Sequence, residues 1–410
     1  MAPGRGLGSN GRNGKEAHRQ KDEYQEIAEQ SIRGKKKLSQ AADESNGNDG
    51  KAPSRSLNAE LSDLKGAQRG AMPREIHPML ATLVEEPFDD AQWLYEVKWD
   101  GYRAIAFVDD GKARLVSRNQ NDLTAEFPEI ARELGKLKME TAIFDGEVVA
   151  LDEEGRSSFS LMQQRTGMTH PGARTRRDHT VPIVYYIFDL LYLNGYNLMR
   201  VDLEQRKELL RQVVPGGAGL LRYSDHYPEE GTALFNVARE KGLEGIIAKL
   251  RNGCYVQKRS REWLKIKITR RQECVICGYT DPKGSRELFG SIILGLYDER
   301  GKLVHVGNAG TGFDASSQAA LWKKLEKLKT DENPFGVKIE STRKPHWLKP
   351  ELVCEIKFSE WTHEGQRGGI KMRAPVYEGL RFDKKPRECV FEFPRSTQPE
   401  VRKAEQRTAV

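Results

Sequence analysis

With 410 residues the chain exceeds one typical domain, so two domains with tails are expected. A hydrophobic share of 37% and a charged share of 31% leave no run near the roughly 20 apolar residues of a membrane span, which excludes a helical membrane protein. The net charge of +7 leans toward a polyanionic partner. The first twenty residues contain no apolar core and do not read as a secretory signal. Five cysteines, Cys254, Cys274, Cys277, Cys354 and Cys389, fit a reduced intracellular protein better than a disulfide scaffold.

Residues 1–72 are rich in Gly, Ser, Asn and Lys and read as a disordered basic and polar tail. Within it, Tyr24, Ile27, Ala28 and Ile32 have the spacing of one face of a short helix, against the plainer reading of a fluctuating tail. Order is expected from Pro73. Strand signals fall at 103–108 and 113–117 around the Asp110-Gly111 turn, then at 142–151, 183–192, 245–250 and 263–268. Between them, Thr124 precedes Phe127, Ile130, Leu134 and Leu137 at helical spacing, and Asp202 with Gln205 forms a capping-box pattern. The expectation is an α+β domain over 73–268 with antiparallel sheets. A basic hinge, Thr269-Arg270-Arg271-Gln272, then opens a second unit over 269–395. Strands are expected at 273–280, 289–297, 303–307 and 352–358, with one helix from Asp314 to Leu328. Several strands and a single inserted helix suit a small β-barrel of the oligonucleotide-binding (OB-fold) type. Residues 396–410 read as a charged tail.

The chemistry begins at Lys98 in Glu96-Val-Lys-Trp-Asp-Gly-Tyr-Arg103. An amine nucleophile must be held deprotonated, since a free lysine titrates at about 10.4. Four runs follow in order: Ser117-Arg118-Asn119, Phe144-Asp145-Gly146-Glu147, Glu244-Gly245-Ile246-Ile247-Ala248-Lys249 and Trp263-Leu264-Lys265-Ile266-Lys267. Strand alternation puts Lys265 and Lys267 on one face, where two ammonium groups suit a phosphate. Taken alone, a solvated strand face explains them as well. Glu147 and Glu244 are carboxylates able to share Mg²⁺ or Mn²⁺. Cys274 and Cys277 have zinc-type spacing but no second pair nearby, and read as strand packing. The segment 249–271 carries nine Lys and Arg with Tyr255 and Trp263 between them, which suits a duplex backbone groove.

These runs resemble the motifs of the covalent nucleotidyltransferases, a superfamily of DNA ligases, RNA ligases and capping enzymes. The wording most resembles bacterial ATP-dependent DNA ligases of the end-joining, LigD type. Further matches are His77-Pro78-Met79-Leu80-Ala81, Tyr186-Ile187-Phe188-Asp189, Glu360-Trp361-Thr362, Arg373-Ala374-Pro375 and Gly379-Leu380-Arg381-Phe382-Asp383-Lys384. One departure is Phe382, where the family often has Glu.

The resemblance implies sealing of nicks with 3′-hydroxyl and 5′-phosphate ends through lysyl-AMP on Lys98 and then DNA-adenylate. It implies ATP and a divalent metal, a neutral Lys98 favoured by neighbouring cations and that metal, and a role for each site residue. Glu96 would read the adenine amino group, Phe188 would stack on the base, and Arg103 would contact the sugar or nick terminus. Arg118 would hold the 5′-phosphate. Glu147 would meet ribose or metal, and Glu244 the metal. Lys249, Lys265 and Lys267 would neutralise the α-phosphate. Arg381, Asp383 and Lys384 would swing in with the barrel to orient pyrophosphate. Arg270 and Arg271 join Arg118 as DNA contacts. The implied setting is DNA repair by end joining, in the bacterial cytoplasm at the nucleoid. The implied partners are nicked duplex DNA, a Ku-type end-binding protein and separate end-processing enzymes, with the chain itself a monomer. An RNA ligase or GTP-dependent capping-type enzyme is the alternative that shares the first step. A non-catalytic nucleic-acid-binding protein is a further one.

Overall fold

The computed structural model describes residues 60–153, 155–166, 180–214, 219–282, 288–339, 343–363 and 369–408. Two sheets build the first part of the molecule. The larger has seven strands and centres on Tyr102–Asp109, Thr141–Ala150 and Ile183–Leu193, antiparallel to one another, with Leu221–Tyr223 added parallel to Ile183–Leu193. Asp110 and Gly111 close its first hairpin with φ of 44° and 73°, the left-handed pair that a two-residue turn needs. All eleven residues of Ile183–Leu193 are buried, because the sheet is covered on both faces. On one face lies a core of Phe127, Ile130, Leu134, Phe144, Tyr185 and Leu209.

The second sheet has five strands. Trp93–Val97 and Gly245–Leu250 lie at its centre, beside Arg259–Lys267 and then Leu80–Val84, the last two running parallel. The chain passes from Trp93–Val97 in this sheet to Tyr102–Asp109 in the other through residues 98–101. Gly101 is required in that crossing, since a Cβ there would stand 2.1 Å from the Val148 carbonyl oxygen.

A third sheet of six strands forms the barrel. Arg270–Thr280 pairs with Ile292–Tyr297 on one side and with the long strand Pro345–Phe358 on the other. Its helix runs Ala315–Leu325, continued by a 3₁₀ turn Glu326–Leu328. Asp314 caps it by accepting from the Ser317 N–H at 2.6 Å, and Leu321 and Leu325 are buried in the barrel core. Cys274, Cys277, Cys354 and Cys389 are buried in that same core, with burial raising each thiol's pKa.

Three expectations are corrected. Order begins before Pro73: Leu61 is fully buried and Gln68–Arg69 pairs with Tyr196–Asn197. The proposed helix around Tyr24 lies outside the described residues. Asp202 precedes the helix Leu203–Val213, but its side chain makes no capping hydrogen bond. Residues 397–408 are a helix and not a tail. Val401 and Ala404 sit in the core of the five-stranded sheet, where their burial offsets the ordering of an otherwise charged segment. Among the described residues no helix is long and apolar enough to cross a membrane.

Candidate active site

Lys98 stands where the chain leaves the five-stranded sheet, so its side chain enters the cleft between the two sheets. Its N–H donates to the Gly245 carbonyl at 2.9 Å, which fixes the backbone. Its Nζ pairs with the Glu244 carboxylate. The larger sheet contributes Arg103, Glu147 and Phe188 to the cleft, and the smaller contributes Glu96, Lys249, Lys265 and Lys267. Arg103 and Glu147 are cross-strand partners. Arg381, Asp383, Lys384, Glu273 and Glu355 close the cleft from the barrel.

The electrostatics divide the cleft into a base side and a phosphate side. On the base side, Asp145 holds Arg103 at 2.5 and 2.6 Å, and Tyr255 donates to Asp145 at 2.6 Å. The guanidinium lies 4.6 Å from the Phe188 ring centroid, and Lys249 Nζ lies 4.4 Å from the same ring. Glu96 is buried; its Oε1 accepts from Lys249 at 2.9 Å and meets Lys207 at 3.0 Å. Burial alone would raise Glu96, but the two ammonium groups hold its carboxyl below the ordinary value. Burial pulls Lys249 down to about 8, although Glu96 supports its charge.

On the phosphate side, burial pulls Lys265 down to about 8 against the support of Glu392, whose carboxylate is 2.5 Å away. Lys267 is held above its ordinary value: burial opposes its charge, but Glu392, Glu244 and Glu273 outweigh it. Burial pushes Glu147 up to about 7 against the pull of Arg103, Lys98 and Arg381. Glu244 stays below its ordinary value, because Lys98, Lys267 and Arg271 outweigh its burial. From the barrel, Arg381 forks onto Asp383 at 2.8 and 2.7 Å and reaches Glu355 at 2.6 Å, while Lys384 meets Glu273 at 3.0 Å.

A lysine paired with a carboxylate, an aromatic ring and cations from both the sheets and the barrel fit a nucleotide cleft. The family model for the ATP dependent DNA ligase domain matches residues 78–267, and that for the ATP dependent DNA ligase C terminal region matches 285–384. DNA ligase C1 of Mycolicibacterium smegmatis is 34% identical, over 77% of this chain and 93% of its own length. The chain belongs to the ATP-dependent DNA ligase family.

The multifunctional non-homologous end joining protein LigD of Pseudomonas aeruginosa is 38% identical to this ligase over 82% of the chain. The ligase spans 39% of that relative's length. A solved structure described as mycobacterial DNA ligase D complexed with ATP and MES is 35% identical, with a TM-score of 0.57. The match covers 77% of this ligase and 98% of that chain.

Several expected roles change in this structure. Lys98 Nζ is paired with the Glu244 carboxylate, the expected metal ligand. Glu96 has its oxygens engaged by Lys207, Lys249 and Ser224, so it meets the base side through Lys249. Lys249 lies against Phe188 and Trp263, opposite the residue two positions before Lys265 on the next strand. Arg271 is tied to Asp100 and lies 3.3 Å from Glu378, so it is not free for DNA; Arg270 is exposed. Arg118 lies 3.6 Å from Glu388. Phe382, at the family departure, is exposed with Lys324 5.0 Å from its ring centroid. In the segment 249–271, Arg251, Arg259, Arg261, Lys265 and Arg271 pair with carboxylates of the chain itself.

The sequence reading missed Asp145, Tyr255, Lys207, Glu273, Glu355 and Glu392. Asp145 had a signal, since it sits inside the Phe-Asp-Gly-Glu run. Tyr255 sits in the basic segment 249–271, and the others lie outside any run that was read for chemistry.

Proposed function

We propose that Lys98 is the adenylated residue of this ATP-dependent DNA ligase. The observation that carries the reading is Lys98 at the cleft floor, paired with Glu244 and facing cations from both domains. Lys98 Nζ attacks the α-phosphorus of ATP, forming the N–P bond as the bond to the β-phosphate oxygen breaks and pyrophosphate leaves. Its proton has an adjacent acceptor in Glu244. A 5′-phosphate oxygen at the nick then takes the AMP and regenerates the lysine. The 3′-hydroxyl attacks that 5′-phosphorus, forming the phosphodiester and releasing AMP.

Phosphoryl transfer of this kind depends on positioning and neutralised charge. Lys265 and Lys267 serve the α-phosphate, Arg381 and Lys384 the departing pyrophosphate, Phe188 and Lys249 the base, and Arg118 the 5′-phosphate. Glu147 and Glu244 would hold a divalent cation together with phosphate oxygens. Among the described residues no three His, Cys, Asp or Glu converge on an ion site, which suits Mg²⁺, an ion that takes most ligands from phosphate and water. Such an ion would neutralise phosphate charge.

The similarity to LigD proteins supports a role in end joining on nicked or broken duplex DNA, with a Ku-type end binder and separate processing enzymes as partners. It also supports work at the bacterial nucleoid. Unchanged joining with and without Ku would count against that partner.

The deciding experiment uses α-labelled ATP with Mg²⁺, followed by nicked duplex. Label should attach to the protein, chase into DNA and end as free AMP with sealed product. Lys98→Ala retaining full sealing would sink the reading, and transfer from GTP but not ATP would sink the nucleotide assignment.

A further inference from the structure

One carboxylate inside the lysine cluster has no part in the chemistry above. Glu392 lies on the segment that leaves the barrel and runs to the helix Thr397–Thr408. Its Oε1 is 2.5 Å from Lys265 Nζ and 3.5 Å from Arg259. The backbone beneath it is anchored at both ends. On the barrel side, the Glu392 N–H donates to Gln272 Oε1 at 3.2 Å, and Gln272 Nε2 donates to the Val390 carbonyl at 3.1 Å. On the other side, Arg395 bridges Val84 as a parallel strand. Thr397 Oγ1 accepts from the Glu86 N–H at 3.0 Å and donates to the Glu86 carbonyl at 2.9 Å. Val401 and Ala404 then enter the core of the five-stranded sheet. The strap therefore presents one carboxylate to the Lys265 ammonium, with Arg259 beside it.

We propose that Glu392 is a tethered competitor for the phosphate seat at Lys265, and that it sets how tightly the ligase binds ATP. The inference rests on the assignment of Lys265 to the α-phosphate. A carboxylate and a phosphate are both anionic acceptors for an ammonium group, and they cannot crowd the same side of it inside a buried cleft without repulsion. Burial opposes ionisation of Glu392, yet Lys265 and Lys267 hold its carboxyl at about 2, so it carries its charge at every working pH. ATP must turn Glu392 away before it gains Lys265. The cost falls on nucleotide binding and not on the rate once ATP is bound.

The test is Glu392→Gln, which keeps the side chain's shape and an acceptor for Lys265 but removes the charge. In single-turnover labelling of the lysine, the ATP concentration for half-maximal rate should fall roughly tenfold, the order expected of one charge-assisted contact. The rate at saturating ATP should stay within about twofold, because no interaction made only in the transition state is removed. An unchanged or raised half-saturating concentration overturns the proposal, as does a fall confined to the saturated rate. Lys265→Ala, measured alone and with Glu392→Gln, separates the two layers. If Lys265→Ala weakens ATP binding and cancels the gain, both stand. If Lys265→Ala leaves ATP binding untouched, the phosphate assignment fails and the proposal falls with it. If Lys265→Ala weakens binding while Glu392→Gln changes nothing, the competitor alone is overturned.

Discussion

Asp145 has no solvent exposure, and its two oxygens hold the Arg103 fork and the Tyr255 hydroxyl. Arg103 owes its place over Phe188 to that fork. Asp145→Ala leaves the Arg103 guanidinium, whose side chain is 20% exposed, without its counter-ion, and losing such a charge-assisted pair costs about 1–3 kcal/mol. Urea denaturation should show a loss of that order, with lysine adenylation falling alongside. The next residue explains the glycine of the same run: a Cβ on Gly146 would meet the Tyr185 ring and the Tyr186 carbonyl oxygen, each at 2.5 Å. Gly146→Ala should therefore displace Glu147 and weaken metal-dependent adenylation more than it weakens the fold. Glu147 itself supplies a pH test. Its carboxyl titrates at about 7 in the folded chain against an ordinary 4.5, so the fold holds a proton that the unfolded chain has lost. Its contribution is fully present below pH 4.5, and stability is lost as pH rises from there through about 7. Glu147→Gln should stabilise the ligase relative to wild type at pH 8, by up to about 3 kcal/mol, and change it little at pH 4. Thermal melts across pH will show whether the two curves converge at low pH. At this scale the cations of the cleft were legible, because each stands in a run of recognisable wording. The pairings were not: Glu392 is 127 positions from Lys265 and Asp100 is 171 from Arg271, and only the fold joins them.

The strands were the legible elements. Alternation and the Asp110-Gly111 turn locate the first hairpin, whose strands run Tyr102–Asp109 and Lys112–Ser117. The Trp263–Lys267 alternation turns Leu264 and Ile266 into the core and leaves Lys265 and Lys267 in the cleft. The helix Thr397–Thr408 was hidden by its composition, since Val401 and Ala404 are its only apolar residues and two apolar positions give no periodicity. What holds it is tertiary. Glu400 is buried and takes Arg261, and the Trp93 indole donates to Glu405 at 3.2 Å. Thr397→Val removes both hydrogen bonds to Glu86, which at about 0.5–1.5 kcal/mol each should cost about 1–3 kcal/mol in chemical denaturation. A change within about 0.5 kcal/mol, the range of ordinary surface substitutions, would mean the helix contributes nothing to the adenylation fold.

Across the whole molecule, charge holds the barrel against the cleft. Arg271 to Asp100, Lys265 to Glu392 and Arg118 to Glu388 all cross between the barrel side and the two-sheet unit. The screening length shortens from about 10 Å at 0.1 M salt to about 3 Å at 1 M. X-ray scattering of the free ligase should therefore show a larger radius of gyration as salt rises, while nick sealing falls because phosphate contacts are lost. A compact ligase at all salt concentrations would show that the closure is apolar. The two-part plan was legible from the hinge and from the several strands with one inserted helix that follow it, but the closure was not, since ion pairs between domains leave no local pattern. The docked helix also bears on how the molecule is made. Trp93 and Glu405 are 312 positions apart, with the entire barrel between them. The sheet that carries Lys98 thus keeps an apolar edge uncovered until ribosomes have translated the barrel. Its folding is bound to a long loop closure, the slow kind. The barrel, whose core is drawn from its own residues, is free to fold first, so the part of the ligase synthesised earlier is the part finished later.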